Sequence, residues 1–150
     1  MNFVFNAALG SVALRVAQSQ VFKLLCLKEI STKAEMRDQA TVTALLGLAA
    51  VEEADFERYE RVTLENVTAT VSNADDEVRV LCDDVKYEFA GGDTNNIVKG
   101  AVIYVDNDDN LSTAVPAVFL DVQFETDGND VTIEFHELGF YVSREEDTED

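Results

Sequence analysis

Tryptophan is absent from this 150-residue chain, and proline and histidine occur once each. Cysteine occurs twice and basic side chains number only eleven. Each shortage excludes something. A single proline with seven glycines leaves no low-complexity linker. The lone histidine, His136, sits on the polar phase of a strand pattern between Glu134 and Glu137. No nucleophile or orienting partner accompanies it, so it reads as a surface or edge histidine and not as a general base. One histidine without a C-x-x-C pair also argues against a zinc-type site. Cys26 and Cys82 lie in apolar, strand-like runs and read as two buried free thiols of a reducing compartment. A disulfide would need their Cα atoms within about 7 Å, which spacing cannot show. The longest apolar runs fall far short of the roughly 20 residues that span a bilayer. The first residues carry no basic region and no long apolar core, so no signal peptide is expected.

The scarcity of cations has the widest consequence. Eleven basic residues stand against thirty acidic ones, a net charge of −19. The balance is lopsided. Residues 1–60 hold 8 acidic and 6 basic side chains, whereas residues 61–150 hold 22 and 5. Such a surface repels phosphate backbones and anionic leaflets, which disfavours nucleic-acid and membrane partners. It keeps a protein hydrated and apart from its copies at high concentration. It also suits a nearly neutral first third that docks while the acidic remainder faces solvent.

What is present is a period of two. Ala101, Ile103 and Val105 point one way in an extended chain, and Val102 and Tyr104 the other. A strand apolar on both faces belongs at the centre of a sheet covered on both sides, so 97–105 is expected to be central. Further strands are expected over 21–28, 62–71, 78–82, 85–89, 118–124, 131–135 and 140–142. A slip of alternation at Glu65-Asn66 suggests a bulge. Asp127-Gly128-Asn129-Asp130 is a hairpin signal. A short helix is expected within Ala7–Ala17, and a second capped by Asp38 or Thr41 and stopped by Gly47. The expected fold is mainly β with a small α component. A docking segment with short helices and a strand (1–60) precedes an antiparallel β-sandwich or open barrel (61–143) and an acidic tail (144–150). All three belong to one folding unit, because 60 residues make a poor core alone.

No catalytic constellation stands out. Ser72 and Ser112 lack a G-x-S-x-G setting, and Gly91-Gly92 lacks the pattern of a phosphate loop. Asp106, Asp108 and Asp109 are the weak candidates for a hard cation. An EF-hand loop starting at Asp106 would need glycine at position 6 and glutamate at position 12, where this chain has Leu111 and Ala117. A solvated turn is the plainer reading, and no cofactor is implied.

Phe3-Val4-Phe5-Asn6-Ala7-Ala8-Leu9-Gly10 resembles the F-x-F-N-x-A-x-G start of a family of small virion proteins of tailed phages. Met36-Arg37-Asp38 with Thr41–Leu46, Tyr59–Leu64, Val102–Asp106, Pro116–Asp121, Phe124–Thr132 and Gly139–Tyr141 match its later blocks in order, over nearly the whole chain. The chain departs from the pattern in lacking the aromatic, often tryptophan, near Val85–Tyr87, where Tyr87 can substitute. It is also far more acidic, which suits a halophilic or marine host. The resemblance implies a structural, non-enzymatic virion protein, assembled in the host cytoplasm. Its expected role is a capsid decoration or cement protein bound to the major capsid protein or other virion subunits, as a homo-oligomer with a trimer favoured. Phe3, Val4, Phe5 and Asn6 would be its docking residues. A head–tail connector, tail or baseplate subunit is the alternative within the particle. An acidic cellular ligand- or ion-binding β-module is the alternative of another class.

Overall fold

The computed structural model describes residues 2–9, 11–72, 77–135 and 141–144, with 71, 72, 77 and 141–144 described by their backbone. The expectations for His136, the turn over 73–76, Gly139-Phe140 and the tail over 145–150 lie outside the described residues. The fold is mainly β: several antiparallel sheets with a few short helices.

The centre is the expected one. Strand β9 (Gly100–Val105) is buried along its whole length. It lies between β2 (Phe22–Glu29) and β10 (Val115–Leu120) in a six-stranded sheet. β1 (Phe3–Val4) closes one edge against β10, while β3 (Glu52-Glu53) and β4 (Val62-Thr63) share the other against β2. The sheet has two apolar faces because its central strands alternate between two cores. Phe22, Leu24, Cys26, Ala101, Ile103, Val105, Val118 and Leu120 enter one core. Leu25, Leu27, Val102, Tyr104 and Phe119 enter the other. Gly100 is required by packing, since a Cβ there would lie 2.4 Å from Cζ of Phe119.

The first face is covered by helix α1 (Val12–Ala17) and by smaller sheets. These are the pairs formed by β7 (Val85–Tyr87) with β12 (Val131–Ile133) and by β8 (Ile97-Val98) with β11 (Phe124-Glu125). A three-stranded sheet follows the order β13 (Tyr141–Arg144), β6 (Glu77–Leu81), β5 (Thr68–Ser72). The second face is covered by α2 (Lys33–Arg37) and α3 (Val42–Leu46), which contribute Met36, Val42 and Leu45. Thr32 and Thr41 cap these helices by accepting the N–H groups of Glu35 and Ala44. The segment 1–60 therefore supplies β1, β2 and β3 to the same sheet as β9 and β10, and the expected boundary at 60/61 divides no separate cores.

Several expectations change. The run 62–71 is two strands in different sheets, and the slip is not a bulge. Asn66 adopts φ 54° and breaks the chain between β4 and β5. Bulge-like shifts fall instead in β2, between Leu27 and Glu29, and in β10, between Pro116 and Val118, where the Ala117 carbonyl accepts the Phe5 N–H at 2.9 Å. The run 97–105 divides at Lys99 into β8 and β9. The turn over 127–130 exists, with Gly128 at φ 95°, but its flanking strands do not pair with each other. It passes the chain from β8's partner to β7's. Phe89 is not part of a strand, since β7 ends at Tyr87.

Candidate docking interface

The proposed docking residues begin the sheet. In this fold the rings of Phe3 and Phe5 are core side chains and not exposed anchors. Phe3 is 7% exposed and stacks on Phe119 with centroids 5.0 Å apart and planes 9° off parallel. Phe5 is fully buried, its ring tilted against Phe3 at 5.0 Å. The cause is the pairing Phe3↔Phe119, which lays the segment along β10 and turns both rings into the second core. Val4 faces the first core and is half-buried. Asn6 is exposed, but its amide is held: it donates to Asp38 at 2.5 Å and accepts from Nε of Arg37 at 3.2 Å.

The same segment nevertheless presents a different surface. Residues 1–28 contain no carboxylate, in a chain that holds thirty. Their exposed side chains include Leu9, 66% exposed, and Leu14, 57% exposed, beside polar or small Asn2, Asn6, Ala7, Ala17, Gln18 and Ser19 and the apolar Val21. Helix α1 explains this division. Val12, Ala13 and Val16 turn to the first core, while Leu14, Ala17 and Gln18, at helical i, i+3, i+4 spacing, share the opposite face. Arg15 is the one charge on the helix, and it donates to Ser11 at 3.1 Å and Gln20 at 3.2 Å. A hollow of about 300 Å³ beneath the end of α1 is lined by Val16, Val21, Phe22, Leu64 and Val67, among others.

The acidic turn after β9 separates the three cation candidates. Asp106 is 5% exposed, whereas Asp108 and Asp109 are exposed. Asp106 accepts the Asn110 N–H at 3.0 Å and pairs with Lys23 at 3.4 Å, and Asp109 also binds the Lys23 ammonium. Burial works to raise the Asp106 pKa. The Asn110 hydrogen bond and the Lys23 charge outweigh it, so the carboxyl sits below its ordinary range. A lysine from β2 thus occupies the centre of the turn. Among the described residues, no group of three or more His, Cys, Asp or Glu side chains could hold a metal ion.

One polar network was not visible in the sequence. Tyr59 donates to Glu53 at 2.6 Å and accepts the Cys26 N–H at 3.1 Å. Arg61 grips the same carboxylate twice, at 2.8 and 2.7 Å. Tyr87 donates to the Glu60 carbonyl at 3.2 Å and accepts from Sγ of Cys26 at 3.6 Å. Burial raises the pKa of both phenols, and it pushes the Cys26 and Cys82 thiols up to about 12. Both cysteines are free and remain thiols at neutral pH. A neighbouring cleft of about 500 Å³ includes Arg58, Lys86, Glu60 and Glu88 in its lining. Its cations are engaged. Arg58 binds Glu57 and the carbonyls of Phe89 and Gly91, and Lys86 binds Asp130. The network fastens the loop over 53–61 to β2 and β7. Its shared acceptor, Glu53, is brought alongside Tyr59 and Arg61 by the pairing of β3 with β2.

Among the described residues, no helix is long and apolar enough to cross a membrane. No family model, no curated protein and no solved structure matches the chain.

Proposed function

We propose that this chain is a non-enzymatic structural subunit of a tailed virus particle, a decoration or cement protein seated on the outer shell. The observation that carries the docking part is the carboxylate-free stretch over residues 1–28, whose outward side chains include the exposed leucines Leu9 and Leu14. The order of sequence blocks that resemble those of small phage virion proteins supports the virion part. The docking surface is then the outer face of α1 with Leu9, and Val12, Ala13 and Val16 seat that helix on the first core. A few apolar anchors of this kind dominate interface energies, and a carboxylate-free patch on a body of −19 is where a large assembly can be approached at least electrostatic cost. The partner is the major capsid protein or another virion subunit.

Co-sedimentation with purified particles tests this reading. The unaltered chain should pellet with particles, and the double variant Leu9→Glu/Leu14→Glu should remain in the supernatant while keeping its melting temperature. Equal pelleting of both would overturn the docking surface, and pelleting of neither would overturn the virion role. Copy number per particle separates shell from connector: hundreds for decoration, about a dozen for a ring.

A further inference from the structure

Strand β5 ends a three-stranded sheet, and helix α1 packs against β5 and β6. Edges are blunted by shortness, charge, proline or bulges. Among the described residues, the six-stranded sheet obeys this rule: β1, β3 and β4 are two residues each, and β3 is Glu52-Glu53. β5 has five residues, Thr-Ala-Thr-Val-Ser, with no charge and no proline. Its register with β6 runs unbroken from Thr68↔Leu81 to Ser72↔Glu77. Thr68, Ala69 and Thr70 are exposed, and among the described residues no main-chain bond joins them to anything but β6. An open ladder with β-branched side chains is a template for one more strand.

The surroundings select the occupant. The stretch 65–84 holds six acidic residues and one basic residue. Glu65, Asp83 and Asp84 are exposed at the Thr68 end, held together by Asp83 N–H to Glu65 carbonyl at 3.0 Å and Asn66 to Asp83 at 2.6 Å. A second copy would bring its own Glu65, Asp83 and Asp84 to the same edge, and like charges facing each other across a ladder are destabilising. We infer that the β5 edge binds an extended segment of a different, basic protein, a strand flanked by lysine or arginine. Main-chain bonds supply the attachment and the carboxylates at the strand end supply the preference. This surface is distinct from the outer face of α1, and the inference stands whether or not the chain belongs to a virion.

Hydrogen exchange of the full chain, read by mass spectrometry, tests it with a short peptide, Lys-Thr-Val-Thr-Val-Thr-Lys. Saturating peptide should slow exchange over residues 68–72 by about tenfold or more. A counterpart with glutamate at both ends, or with proline at its centre, should leave exchange unchanged. Thr70→Lys should abolish the protection while the melting temperature holds, because Thr70 is exposed. Thr68→Lys serves the same purpose should the first variant fold poorly. No slowing with the lysine peptide overturns the proposal, as does slowing that survives both lysine variants. Equal slowing by the acidic peptide overturns the basic partner. Protection without peptide that grows with protein concentration assigns the edge to a second copy instead.

Discussion

Phe5 and Leu14 belong to one carboxylate-free segment and have similar apolar character, yet Phe5 is fully buried and Leu14 is 57% exposed. The difference lies in what each is attached to. Phe5 follows a strand paired with β10, so its ring is carried into the second core beside Phe119. Leu14 sits on a six-residue helix that rests one face on the first core and leaves the other in solvent. Apolar character therefore has two different fates within twelve residues of sequence, one buried and one exposed, and only the neighbours decide which.

The comparison can be broken at its buried end first. Phe5→Ala should cost about 3–5 kcal/mol, read as a shift of the urea midpoint, because a fully buried ring leaves a cavity. A loss below about 1 kcal/mol would show that the ring is not core. Gly100→Ala should cost about 1–3 kcal/mol by overpacking, since Phe119, which the new Cβ would strike, is itself fully buried and stacked on Phe3.

A charged residue sharpens the same contrast. Asp106→Asn should cost about 1–2 kcal/mol at neutral pH through the weakened bonds to Asn110 and Lys23. Its folded pKa is depressed despite burial. The stabilisation is therefore present above the unfolded carboxylate value of about 3.9 and is lost as pH falls through the lower folded value. Denaturation curves of protein and variant should converge below about pH 4; a constant gap would contradict the assignment. At the exposed end, Leu14→Glu should change stability by no more than about 0.5 kcal/mol. A larger loss would move Leu14 into the core and remove it as an anchor.

Much of the fold was legible because solvent imposes simple periods. The two-faced pattern of Ala101–Val105 marked the centre, and the Thr41 cap with its Gly47 stop appeared where expected. What failed were pairings. The apolar positions over 62–71 looked like one strand until the left-handed Asn66 sent its halves to different sheets. Asp127–Asp130 looked like a hairpin, although β11 and β12 have separate partners. Phe89 continued the alternation of Val85 and Tyr87, yet Arg58 and Asp130 hold its backbone in a turn at φ 51°. In the candidate interface Phe3 and Phe5 proved to be core side chains, and the exposed Leu9 and Leu14 were not singled out by the sequence pattern.

From composition and alternation alone came a β-rich chain, a central strand greasy on both sides and a heavily negative exterior. Those follow from the choice each side chain makes between water and interior, which is local. Which strands became neighbours, which phenylalanines went inside and which strands end the described sheets were decided by the folded chain. They depend on contacts between residues far apart in sequence, and no window of neighbouring positions contains them.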